Sequence, residues 1–131
     1  MVEFKAVIAD PKARKTYQTT VAGHHANSLV GKEIGDEFDG IFVGLPGYKI
    51  QITGGTDKAG FPMRKDLKVQ RRQKILFTKG QCCHPEHEGT RQKKTVCGRI
   101  ISATIYQINM KIVSAGSKPI DQLLPKEEAK K

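Results

Sequence analysis

The chain has 131 residues, a formal net charge of +10 and 37% hydrophobic residues, of which few are aromatic and none is Trp. That length suits one domain with a core of Ile, Val and Leu. No apolar run is long enough to cross a membrane, and Glu3 and Lys5 interrupt any apolar leader, so a soluble, cytoplasmic protein is expected.

Taken in chain order, Val2, Phe4, Ala6 and Ile8 alternate with Glu3 and Lys5 and predict a half-buried first strand. Asp10-Pro11-Lys12 reads as a turn, and Thr16 to Val21 as the returning strand of a hairpin. His24 to Val30 suits one short helix ending at Gly31, with His24-His25 a surface pair at its start. Glycines at 31, 35, 40, 44 and 47 leave room only for short strands, such as Ile41 to Val43. Tyr48, Ile50 and Ile52 mark a clear strand, after which Gly54-Gly55 is expected to turn the chain into a compact loop. That loop would tuck Phe61 and Met63 inward and leave Lys58 and Arg64 outward.

Ile75 and Phe77 define one face of a further strand. Ile101, Ala103 and Ile105 set one alternation and Ile108, Met110 and Ile112 the opposite one, so a bulge or tight turn is expected near Tyr106-Gln107. The expected fold is mainly β: a small closed or partly open β-barrel with one or two short helices. Residues 1–118 form its single domain, and 119–131 a short C-terminal tail whose K-E-E-A-K-K end has nothing to bury.

The charge is local. Residues 1–57 hold six Lys/Arg against seven Asp/Glu. Residues 58–99 hold twelve cations, namely Lys58, Arg64, Lys65, Lys68, Arg71, Arg72, Lys74, Lys79, Arg91, Lys93, Lys94 and Arg99, against Asp66, Glu86 and Glu88. A surface serving solubility alone would mix its signs, so this asymmetry calls for a polyanionic partner. With few exposed aromatics, contacts to phosphates and to the shape of folded RNA are expected rather than base stacking.

Catalysis is not expected. Asp36, Glu37 and Asp39 sit in a Gly-bounded turn with no metal motif nearby, and a Cys82–His87 nucleophile would lack a pocket and oxyanion donors. Gly55 and Gly60 have the separation of a phosphate-binding loop, but Phe61-Pro62 stands where Lys-Ser/Thr is required.

Residues 52–64, I-T-G-G-T-D-K-A-G-F-P-M-R, closely resemble the signature of the archaeal and eukaryotic small-subunit ribosomal protein family S6e. The resemblance runs through F-K-A-V-I-A-D-P-K, I-G-D-E-F-D-G, L-F-T-K-G and R-Q-K-K-T-V-C-G-R-I-I, covering roughly residues 2–116. It implies a barrel-like domain bound to small-subunit rRNA beside neighbouring ribosomal proteins, with a role in subunit structure and assembly. No small-molecule substrate and no cofactor are expected. Eukaryotic members carry a long basic C-terminal extension with regulatory phosphorylation sites; a chain ending at Lys131 resembles the short archaeal form. An extraribosomal role in nucleic-acid regulation has the same composition.

The C-C-H-P-E-H run at 82–87 departs most from that family. Cys82 or Cys83, His84 or His87, and Cys97 offer three or four ligands to zinc in an alternative metal-binding reading. Their spacing matches none of the paired zinc motifs, the adjacent cysteines waste a ligand, and three cysteines so placed make no disulfide framework. A plain exposed loop accounts for the run equally well.

Overall fold

A computed structural model describes residues 2–79 and 84–124. The expectations for Cys82, Cys83 and the K-E-E-A-K-K end lie outside these residues. The protein is mainly β, with seven strands, two short α-helices and one 3₁₀ turn among the described residues. No helix among them is long and apolar enough to cross a membrane.

Strands β1 (Glu3–Asp10) and β2 (Lys15–Ala22) form the expected hairpin. Asp10 makes its turn by accepting from the backbone N–H groups of Lys12 and Ala13, the Asx arrangement that competes with continued strand. Helix α1 (His24–Leu29) buries Ala26 and Leu29 and ends before Gly31, whose φ of 94° needs glycine. Strands β3 (Glu37–Asp39), β4 (Lys49–Asp57) and β7 (Ile105–Ser114) complete a mixed sheet in the order β2-β1-β7-β4-β3. Only the β1–β7 pair is parallel. Strands β5 (Arg72–Phe77) and β6 (Gln92–Cys97) pair apart from it as an antiparallel hairpin. The five-stranded sheet thus ends at β2 and β3 rather than closing into a ring.

One face of the sheet carries the core: Phe4, Ala6 and Ile8 of β1 against Ile50, Ile52, Ile108 and Met110. Burying a side chain of this size is worth about 1.5–3 kcal/mol, so this face holds the sheet together. Helix α2 (Ile120–Leu123) lies in the segment expected as a tail, and Ile120 and the following Leu124 are both buried in the core. Tyr48 fixes the approach to that segment by donating its hydroxyl to the Lys118 carbonyl.

Three local expectations are corrected. Ile41 to Val43 belong to a 3₁₀ turn, Gly40–Val43, not a strand. Leu45 N–H reaches back to the Gly40 carbonyl at 2.7 Å, and the backbone packs so closely that a Cβ on Gly40 would lie 2.2 Å from the Leu45 oxygen. Ala103 is not in the last strand; residues 102–104 turn, with Ile105 N–H bonded to the Ser102 carbonyl. Gly54-Gly55 does not end its strand either. Thr53 is an extra residue in β4, after which Gly54 and Gly55 pair with Asn109 and Ile108. Glycine is needed at 55 because a Cβ there would meet the Gln107 oxygen at 2.4 Å.

The phase change in β7 does land on a bulge. Thr56 pairs with Gln107 and Asp57 with Ile105, leaving Tyr106 unpaired between them. The Thr53 bulge has a matching effect in β4, since it turns Gly55 and Asp57 toward the core face already occupied by Ile50 and Ile52.

Candidate nucleic-acid interface

Residues 58–71 leave β4 and form a strap that ties the β5–β6 hairpin to the sheet. Thr56 bridges to Pro62, and Met63 to Cys97 of β6. Cys97 N–H donates to the Pro62 carbonyl and Arg64 N–H to the Cys97 carbonyl, at 2.8 and 2.9 Å. Further along, Arg99 N–H donates to Leu67 at 2.7 Å and Gly98 N–H to Arg71 at 3.3 Å. The two segments cross at Gly98, where a Cβ would lie 1.9 Å from the Val69 oxygen. As expected, Met63 is buried, Phe61 packs against the core, and Lys58 is exposed; Arg64, expected outward, is instead half-buried against Phe77. Phe77 and Val96 are buried in a small apolar cluster with Leu67 and Ile75, which seats the hairpin.

The twelve cations of this region divide into two groups. Three are engaged within the fold. Arg64 pairs with Asp66 at 2.9 Å and lies 4.4 Å from the centre of the Phe77 ring. Arg72 pairs with Asp57 and packs over Phe61. Arg99 Nε lies 3.1 Å from a Glu33 oxygen, an ion pair without hydrogen-bond alignment. The other nine, Lys58, Lys65, Lys68, Arg71, Lys74, Lys79, Arg91, Lys93 and Lys94, are exposed and make no ion pair to a carboxylate among the described residues. In the hairpin register Lys93 stands opposite Leu76, flanked by Lys74, while Lys94 stands opposite Ile75 on the other face.

Asp57 is the anchor of this region, and it is more than the turn former its sequence context suggests. Its side chain is fully buried. One carboxylate oxygen accepts from the N–H groups of Ala59 and Phe61, and the other from Arg72 and the Cys97 thiol. Burial alone would raise the carboxyl above its usual range. The Arg72 hydrogen bond, followed by those from Phe61, Cys97 and Ala59, outweighs burial and holds it below. Arg72, expected on the RNA face, is thus largely an internal strut, though its side chain remains 47% exposed.

The family model for Ribosomal protein S6e matches residues 4–125. The chain belongs to this family. It is 47% identical over 130 residues to the small ribosomal subunit protein eS6 of Methanocella arvoryzae, covering 99% of this chain and 92% of that one. It is 44% identical to the eS6 protein of Archaeoglobus fulgidus over 97% of this chain and 99% of the relative. The corresponding protein of Methanocaldococcus jannaschii is 46% identical over 92% and 89%. The resemblance to the archaeal form therefore holds, and the S6e family is one of ribosomal proteins rather than enzymes.

Among the described residues, Cys97 is not brought together with the histidines of the alternative Cys/His cluster. Cys97 points into the Asp57 cluster, while His84 and His87 are exposed in the connection at the far end of β6. That end lies about 16 Å along the strand from Cys97. No group of three or more potential metal ligands occurs among the described residues. Burial and the neighbouring Asp57 push the Cys97 thiol up to about 12, against a weaker opposing effect of Arg72. A thiol harder to ionise in the folded than in the unfolded chain contributes stability that is intact below 9.0. It is lost as pH rises through about 12. With Cys82 and Cys83 replaced by Ser, the native protein should resist a disulfide reagent at pH 7.5 for as long as urea-unfolded protein takes to react fully. Equal rates would show that Cys97 is accessible. Asp36, of the acidic turn, accepts from Glu33 N–H and serves the loop.

Proposed function

We propose that this protein is a structural constituent of the small ribosomal subunit that binds folded rRNA through the strap and the β5–β6 hairpin. The observation that carries this reading is the set of nine exposed cations that make no ion pair to a carboxylate among the described residues, beside three arginines that do. An array held in place loses little conformational freedom on binding, and each phosphate it neutralises releases a counterion. Base-specific hydrogen bonds are not needed, because such contacts position the protein by the shape of the RNA backbone.

In this reading the protein acts on the cytoplasmic ribosome beside neighbouring ribosomal proteins and needs no metal or small-molecule cofactor. The strands also approach a barrel, supported by the Thr56–Pro62 and Met63–Cys97 bridges that link β4 to β6 through residues 62–63.

Contact with about six phosphates predicts a slope of log K against log salt of roughly −4 to −5. A slope near zero would sink the proposal. Arg71→Ala should flatten the slope by about one without lowering stability. Arg72→Ala should instead lower the melting temperature, because it removes the strut on Asp57. Identical behaviour of the two variants in both assays would contradict this division of roles.

A further inference from the structure

Of the Phe and Tyr side chains, Tyr106 alone is exposed, at 41%. It is the unpaired residue of the β7 bulge, and bulges commonly re-aim a side chain out of the ladder. The ring stands over a surface crevice whose other walls are Glu3, Phe4, Lys5 and Lys58. Lys5 Nζ lies 5.5 Å from the ring centre. Lys58 is also the first cation of the basic run, so the crevice opens at the margin of the proposed RNA face. An aromatic wall in a crevice lined by two lysines matches one nucleotide: a π-face for the base and positive charge for its phosphate.

We infer that this crevice takes a single unstacked base of the bound RNA, stacked on Tyr106, with an adjoining phosphate near Lys5 and Lys58. The inference rests on the rRNA-binding reading and adds to it a stacking site that composition alone argued against. Glu3 gives the site a preference. A carboxylate accepts hydrogen bonds and donates none, so it favours the exocyclic amino group of cytosine over the single N3–H of uracil, which two carbonyl oxygens flank.

The test is equilibrium binding of the full chain to fluorescein-labelled hexacytidine and hexauridine over a series of salt concentrations, with small-subunit rRNA measured in parallel. Tyr106→Ala should weaken hexacytidine binding roughly 5- to 100-fold and leave the salt slope unchanged, because no ionic contact is lost. Tyr106→Phe, which keeps the ring, should bind like the wild type. Glu3→Ala should erase the preference for hexacytidine over hexauridine. Unchanged hexacytidine affinity in Tyr106→Ala overturns the stacking site, even if rRNA binding keeps its full salt dependence. Loss of salt dependence for rRNA with Tyr106-dependent hexacytidine binding would instead overturn the rRNA reading and leave the crevice standing. Tight, saturable binding of cytidine monophosphate alone would make the crevice a mononucleotide site and refute its assignment to RNA.

Discussion

Asp57→Ala is expected to lower the unfolding free energy by about 3 kcal/mol. The substitution removes one acceptor group and strands four donors: the N–H groups of Ala59 and Phe61, the Cys97 thiol and the Arg72 guanidinium. A buried ion pair broken on one side costs about 3–5 kcal/mol. Here the cost falls at the lower end, because Arg72 is half-exposed and water takes over part of its solvation. The effect also has a pH signature. The folded-state carboxyl is held below 3.8, so its contribution is fully present above that value. It is lost as the pH falls through the lower folded-state value. Urea titrations between neutral and strongly acidic pH should therefore show a smaller acid-side loss of stability in Asp57→Asn than in the wild type. Equal acid sensitivity of the two proteins would mean that Asp57 is not the charged anchor described above.

The second large effect is expected at Gly98. In Gly98→Ala the new methyl would sit 1.9 Å from the Val69 oxygen and 2.6 Å from both the Val69 carbonyl carbon and Cγ2. Most of these atoms belong to backbone, so the strap itself must move. Overpacking of this kind costs about 1–3 kcal/mol, and weakening the Arg99–Leu67 and Gly98–Arg71 backbone bonds adds about another 1–2 kcal/mol. A loss of about 3 kcal/mol should appear in denaturant unfolding, with faster amide exchange at Arg99. Affinity for rRNA should fall as well, since Lys65, Lys68 and Arg71 ride on the displaced strap. A variant with wild-type stability and affinity would show that the crossing at Gly98 accommodates a side chain.

These two sites differ in how far they could be read without coordinates. Asp57 was visible as a turn former, because an Asp followed by Lys-Ala-Gly-Phe-Pro carries local information. Its buried partnership with Arg72 and Cys97 was not visible, since those residues lie 15 and 40 positions away. Gly98 carried no signal at all. A glycine required by the close approach of another segment has an ordinary φ and looks like any loop glycine.

The same distinction runs through the fold. The alternating patterns of β1, β4 and β7 were legible because period-two burial is written along each strand. The bulge at Tyr106 was legible for the same reason, as a break in that period. The Thr53 bulge was not, because Gly54 and Gly55 have no side chain with which to show a phase. Gly54-Gly55 therefore suggested a turn, where the structure continues the strand and uses glycine for close contact with β7.

By itself, then, the sequence determined a mainly β protein, a positive charge concentrated in residues 58–99, and membership of a ribosomal protein family. All three reside in composition, periodicity and contiguous motifs, which need no knowledge of distant partners. Only the tertiary structure decided which cations are available. Arg64, Arg72 and Arg99 look identical to their neighbours in the chain, yet each is bound by a carboxylate of the fold. A charge becomes a strut or a contact according to what folding places beside it, and Coulomb attraction over a few ångströms has no counterpart in linear order.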